Sequence, residues 1–181
     1  MTRRHFLDGL AALSAMGMVG TGVQAASGHD IAAVTAVLTQ EGKIQRLDVP
    51  RDYWLQYLDD KAWDVLFLDA TEPPFTSPLN DEKRAGTFVC AACHLPLFTS
   101  ETKYDSGTGW PSFYAAIDAH IGTKRDFKLI LPRTEYHCIR CGGHQGHVFN
   151  DGPPPTGKRW CNNGVALRFV PADEPLPELR G

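Results

Sequence analysis

Thr87-Phe88-Val89-Cys90-Ala91-Ala92-Cys93-His94-Leu95-Pro96-Leu97-Phe98 places two β-rich runs, Thr87 to Cys90 and Leu95 to Phe98, on either side of a Cys-x-x-Cys turn. Such a segment reads as a hairpin with two sulfurs at its tip. The arrangement recurs downstream, where the run Glu135 to Cys138 leads through Ile139 and Arg140 to Cys141, and a further run covers His147 to Phe149. Paired knuckles that each present two thiolates suit one tetrahedral Zn²⁺, which would clamp the two turns together without taking part in chemistry. A redox Cys-x-x-Cys usually stands alone beside a βαβ pattern, and a disulfide framework belongs to much shorter secreted chains. Both therefore rank below a structural zinc at Cys90, Cys93, Cys138 and Cys141. His94 and His137 flank the pairs and stand as alternative ligands.

Outward from the knuckles, Ser112 to Ala116, Phe127 to Leu131 and Val165 to Val170 complete seven short β-rich runs cut by glycine and proline. That texture predicts a mainly β domain, a small antiparallel barrel or sandwich. Upstream, Trp54, Leu55 and Leu58, then Trp63, Leu66 and Phe67, are spaced for two short amphipathic helices, with Asp59 or Asp60 as a cap between them. Residues 31–40 can form a further short helix or a tether. The run Glu72-Pro73-Pro74-Phe75-Thr76-Ser77-Pro78 ends helical structure and begins an extended loop. No internal repeat or low-complexity segment is visible.

The amino terminus has the layout of a cleavable export signal: Arg3-Arg4-His5-Phe6-Leu7, an apolar small-residue stretch from Leu10 to Val23, then Val23-Gln24-Ala25. The apolar stretch is short and glycine-rich for a membrane span, so no stable membrane insertion is expected after cleavage. The adjacent arginines resemble a twin-arginine signal, whose route exports folded proteins to the periplasm. A domain folded around its metal before export would arrive with four thiols already occupied. The whole chain has 181 residues and a formal net charge of −3. Losing Arg3, Arg4 and Asp8 with the leader makes the rest slightly more acidic, and nothing suggests a nucleic-acid binder.

Cys161 is the fifth cysteine, left over from the cage, in Lys158-Arg159-Trp160-Cys161-Asn162-Asn163. In a strand Arg159, Cys161 and Asn163 share a face. An arginine beside the sulfur raises its thiolate fraction, and an amide can hold a polar oxygen. Asp151-Gly152-Pro153-Pro154-Pro155-Thr156-Gly157 is a rigid loop leading into this segment. In Gly143-His144-Gln145-Gly146-His147, a bend at Gly146 would turn both histidines inward, where they can move protons near neutral pH. Trp110, on a glycine-bounded turn, suits an apolar, sulfur-bearing substrate.

Together the knuckles, Ser106-Gly107-Thr108-Gly109-Trp110-Pro111-Ser112-Phe113, Gly143 to Phe149, Asp151-Gly152-Pro153 and Arg159 to Asn163 resemble the methionine-R-sulfoxide reductase B family from about Asp48 to Phe169. The resemblance implies two antiparallel sheets, a structural zinc, and reduction of the R epimer of methionine sulfoxide in oxidised proteins. It further implies Cys161 as nucleophile, with Trp110, His144, His147 and Asn163 lining the pocket and Arg159 close by. The chain then divides into an export signal (1–25), an extension (26–47), a catalytic domain (48–170) and a tail (171–181). Trp160 stands where a tyrosine is common, Gln145 where a leucine is common, and Thr108 where many relatives carry a resolving cysteine. With no thiol to resolve Cys161, its sulfenic acid would need an external, thioredoxin-like reductant. A zinc-stabilised binding module and a thiol peroxidase are the alternative readings. A binding module requires neither a reactive thiol nor two histidines, and a peroxidase has no need of Trp110.

Overall fold

Short apolar runs punctuated by glycine and proline fold here into two antiparallel sheets, as the sequence pattern leads one to expect. The computed structural model describes residues 29–40, 43–128 and 132–181. The expected export signal lies outside the described residues, as does the end of the run expected over Phe127 to Leu131.

In chain order, α1 is Ile31–Leu38, followed by the ribbon of β1 (Thr39–Gln40) and β2 (Lys43–Ile44). Arg51–Gln56 forms a 3-10 helix with Trp54 buried, and α2 is Asp60–Leu68. Only a few residues separate Pro50 from the cap at Asp59, too few to nucleate a separate α-helix, so the tighter 3-10 turn forms. Asp59 caps α2 by accepting a hydrogen bond from the Ala62 amide at 2.8 Å, an interaction worth about 1 kcal/mol. Ala62, Val65, Leu66 and Phe67 form the buried face of α2, which packs against β9 (His144–Phe149) and the turn Gly164–Ala166.

The remaining strands are β3 (Gly86–Cys90), β4 (Pro96–Thr99), β5 (Lys103–Tyr104), β6 (Ser112–Phe113), β7 (Ile121–Asp126), β8 (Arg133–Cys138), β10 (Arg159–Asn162) and β11 (Leu167–Pro171). One sheet has the order β11-β3-β4; the other has β5-β6-β10-β9-β8-β7. The strand expected at Phe127 is displaced: Ile121–Asp126 pairs with β8, while Phe127 is 70% exposed. The earlier segment forms the edge of the six-stranded sheet, where its charged residues reach water on one face.

Aromatic side chains join the two sheets. Phe98 of β4 stacks on Phe113 of β6 with ring centroids 4.2 Å apart, and Phe88 of β3 meets the same ring at 4.9 Å. All three are fully buried, as is Tyr136 of β8. Each such side chain contributes about 1.5–3 kcal/mol through burial. Among the described residues no helix is long and apolar enough to cross a membrane.

Candidate active site

Each Cys-x-x-Cys stretch turns a hairpin, one in each sheet. The two turns use the same backbone scheme: Cys90 N donates to Leu95 O and His94 N to Cys90 O, just as Cys138 N donates to Gly143 O and Gly142 N to Cys138 O. At the residue after the second cysteine, both chains enter the left-handed region, with φ of 62° at His94 and 75° at Gly142. Glycine adopts that conformation freely, whereas histidine is strained there. His94 is held by a hydrogen bond between its Nδ1 and Glu178 O at 2.9 Å.

The four sulfurs converge in the interior. Cys90 and Cys141 Sγ lie 3.6 Å apart, Cys93 and Cys138 Sγ 3.5 Å apart, and all four lie within 4.8 Å of one another. These separations are too long for disulfides and close to the edge of about 3.8 Å that four sulfurs form around a tetrahedral ion at about 2.3 Å. Burial, followed by contact with the other three sulfurs, drives the Cys138 thiol well above its ordinary range. A central cation would offset that penalty, so the donor set and its spacing fit a bound metal ion. His94 and His137 stand outside this group of four.

Cys161 lies on β10, directly opposite His147 of β9 and, on the other side, Ser112 of β6. Directly opposed residues place their side chains on one face of a sheet. The register between β8 and β9 shifts after Tyr136, pairing Tyr136 with Gly146 but His137 with His144. Gln145 is thus the extra residue of a bulge, and His144 and His147 come to the same side with ring centroids 5.5 Å apart. Gly146 is indispensable here, because a Cβ at that position would sit 1.9 Å from Cys161 O. The bend expected at Gly146 is therefore a bulge together with a close backbone approach.

A cleft of about 120 Å³ opens beside the sulfur, lined by Thr71, Trp110, Arg133, Gly146, His147, Phe149, Cys161, Asn162 and Asn163. Trp110, His147, Cys161 and Asn163, expected from sequence, thus share one cavity. His144 stands behind it, 3% exposed, its Nδ1 3.0 Å from Glu135 Oε1. That approach is off the line of a hydrogen bond, and neither atom has another partner among the described residues. Arg159 sits to one side, its Nε and Nη2 each 2.9 Å from an Asp151 oxygen and its guanidinium over the Phe149 ring at 4.3 Å.

Glu72 organises the opposite wall. Its carbonyl accepts from Trp110 Nε1 at 2.8 Å, its amide donates to Asn163 Oδ1 at 2.9 Å, and its carboxylate accepts from Gly164 N at 2.6 Å. The indole thereby spends its polar edge on the protein and leaves its hydrocarbon surface to the cleft. Asn163 also donates through Nδ2 to Gln145 O at 3.0 Å, so its amide braces the loop to the bulge.

Burial pushes the Cys161 thiol above its ordinary value, while the charge of Arg159 and hydrogen bonds from Thr108 and Arg159 pull it down. The arginine acts in the expected direction, yet desolvation outweighs it. His147 is lowered by burial, against the hydrogen bond from its Nε2 to Asp126 Oδ2 at 2.7 Å. Asp126 also accepts from Lys128 N at 2.9 Å and Arg133 Nη2 at 2.7 Å, and these partners hold its carboxyl well below the usual range. A carboxylate at Nε2 fixes the tautomer, so neutral His147 carries its proton on Nε2 and a lone pair on Nδ1. Sequence reasoning did not find Thr71, Glu72, Asp126, Arg133 or Glu135. The charges Asp126 and Arg133, on facing strands, were a partial signal.

The β fold, four-cysteine cage and cleft beside Cys161 define an oxidoreductase of the sulfur-handling class, and residues 58–171 match the family described as the SelR domain. The chain belongs to the MsrB family of peptide methionine sulfoxide reductases. It is 51% identical to the peptide methionine sulfoxide reductase MsrB of Pseudomonas putida (strain W619) over 131 residues, covering 72% of this chain and 98% of that protein. It is 50% identical to that of Hahella chejuensis over 121 residues (66% and 87%), and 47% identical to that of Methanosarcina barkeri over 122 residues (67% and 86%).

Proposed function

We propose that the protein reduces the R epimer of methionine sulfoxide in oxidised proteins, with Cys161 as nucleophile and His147 as its proton carrier. The observation that carries this reading is the placement of Cys161 opposite His147 in a cleft walled by the Trp110 indole. His147 Nδ1 takes the thiol proton, and the thiolate attacks the sulfoxide sulfur. The same imidazole returns the proton to the oxygen as the S–O bond breaks. The S–S bond made by the attack breaks as the protonated oxygen passes from the methionine sulfur to the Cys161 sulfur, so that methionine leaves and Cys161 is left as a sulfenic acid carrying the former thiol proton. Trp110 holds the methyl group against its face. His144, backed by Glu135, and Asn163 keep the bulge and cleft wall in place, and Arg159 favours the thiolate.

The ion of the cage is Zn²⁺ in this reading: four buried thiolates are its preferred structural donor set, and it would hold the two hairpin turns without touching substrate. Thr108 beside Cys161 offers no thiol, so the sulfenic acid is returned by an external thioredoxin-like reductant. The arginine pair at Arg3 and Arg4, followed by an apolar stretch, supports export by the twin-arginine route. Replacing both by lysine would then leave precursor in the cytosol.

The decisive assay uses peptides bearing separated R and S sulfoxides, with dithiothreitol as reductant. Turnover of the R peptide alone, abolished by Cys161→Ser, is expected. Equal rates on both epimers, or activity surviving Cys161→Ser, would overturn the reading.

A further inference from the structure

Gln145 is completely buried, at the bulge between the two histidines. A primary amide in such a place is costly unless its donors and acceptor find partners. Its Nε2 donates to Cys90 Sγ at 3.5 Å, and its Oε1 accepts from Asn162 Nδ2 at 3.4 Å. Its carbonyl accepts from the Asn163 amide at 2.8 Å as well as from the Asn163 side chain. One residue of the six-stranded sheet therefore touches a cage sulfur of the other sheet and both residues that follow Cys161.

We propose that Gln145 is a positioning residue that couples the four-cysteine metal centre to the strand carrying the nucleophile. A thiolate bound to a cation is a strong, fixed acceptor, and a donor from outside the coordination sphere orients it. With the ion in place, Cys90 Sγ anchors the amide. The anchored amide holds Asn162, and through its carbonyl Asn163, at the distance that sets β10 against β9. When the sulfur loses its charge by ion release or oxidation, the anchor slackens and the catalytic strand loses a support. The kinetic consequence rests on the reductase reading given above; the link between the amide and the sulfur does not.

The test replaces Gln145 by Met, which keeps length and volume but removes the amide, and by Leu, which also shortens it. In cobalt-substituted protein the sulfur-to-metal charge-transfer bands should shift in both variants. Zinc release to a chromogenic chelator should accelerate about 10-fold. Turnover should show a lower kcat with KM little changed. In unaltered protein loaded with ¹¹³Cd, the Gln145 side-chain amide proton should show a resolved coupling to the metal. That measurement does not depend on either variant folding. Unchanged cobalt bands and release rates, or no coupling in the cadmium protein, would overturn the proposal. Shifted bands and faster release in a protein that reduces no sulfoxide would uphold the link while sinking the reductase reading.

Discussion

His147 stands opposite Cys161 in the β9–β10 ladder and is tied to Asp126: its Nε2 meets Asp126 Oδ2 at 2.7 Å. A carboxylate on one ring nitrogen orients an imidazole and leaves the other nitrogen to move protons, the role proposed for His147. Here the carboxylate comes from β7 at the sheet edge, with Arg133 at 2.7 Å on the same oxygen.

Asp126→Asn should remove that orientation while keeping the shape. General acid–base assistance is worth about 100-fold or more, and kcat on the sulfoxide peptide is expected to fall by that order with KM little changed. Alkylation of Cys161 at high pH should proceed at the normal rate, which would separate loss of proton transfer from collapse of the cleft. Steady-state kinetics and iodoacetamide labelling check both parts.

Arg159 and Asp151 act on the sulfur in opposite directions, the first lowering and the second raising the Cys161 pKa. Arg159→Met, which keeps apolar cover over Phe149, should move the alkylation midpoint of Cys161 to higher pH. Asp151→Asn should move it lower. Plateau rates at high pH should follow the midpoints only weakly, rising slightly in Arg159→Met and falling slightly in Asp151→Asn, because thiolate nucleophilicity tracks its pKa with a slope below one.

Thr108 lies near enough to Cys161 to lower the pKa of its thiol. Thr108→Cys should therefore place a second thiol within reach of a disulfide. After one equivalent of sulfoxide without reductant, the wild type should yield a dimedone adduct at Cys161 and no intramolecular disulfide. The variant should yield a 108–161 disulfide instead, as read by intact-mass and peptide mass spectrometry.

His120 is fully buried, with its ring nitrogens 2.6 Å from Pro96 O and 2.7 Å from Thr35 Oγ1. Burial, the largest influence, lowers its pKa below the ordinary 6.5. Above pH 6.5 the ring is neutral in folded and unfolded chains, and its contribution to stability is full. As pH falls from there toward the folded pKa, the unfolded chain takes up a proton that the folded one refuses, and stability is lost at up to about 1.4 kcal/mol per pH unit. Urea unfolding at pH 7.5 and 5.5 should show this loss, and His120→Gln should reduce it.

Much of the site was legible because its residues cluster in short stretches: the two knuckles, the turn at Trp110, the histidine pair and Cys161. The hairpins were readable from β-rich runs broken by Cys-x-x-Cys turns, and Asp59 from its place between two apolar patterns. Ile121–Asp126 escaped because an edge strand with exposed Lys124 and Arg125 lacks the apolar pattern that the run after it shows. The roles of Asp126 and Glu72 depend on long-range pairing, which no local pattern encodes. Neither did the sequence show that burial would outweigh Arg159 at the sulfur, since that balance depends on the depth of the cleft.

The matched knuckles have a consequence for how the molecule assembles. Each sulfur pair forms with its own hairpin, a local event that fixes few residues and closes quickly. Joining Cys90 and Cys93 to Cys138 and Cys141 closes a long loop, whose entropic cost must be met before the contacts reward it. A metal ion held by the first hairpin alone has two of its four sulfurs and waits for the second. An ion captured by both hairpins would add a second clasp to the stacked rings of Phe88, Phe98 and Phe113, and a chain starved of metal should hold its two sheets together by those rings alone.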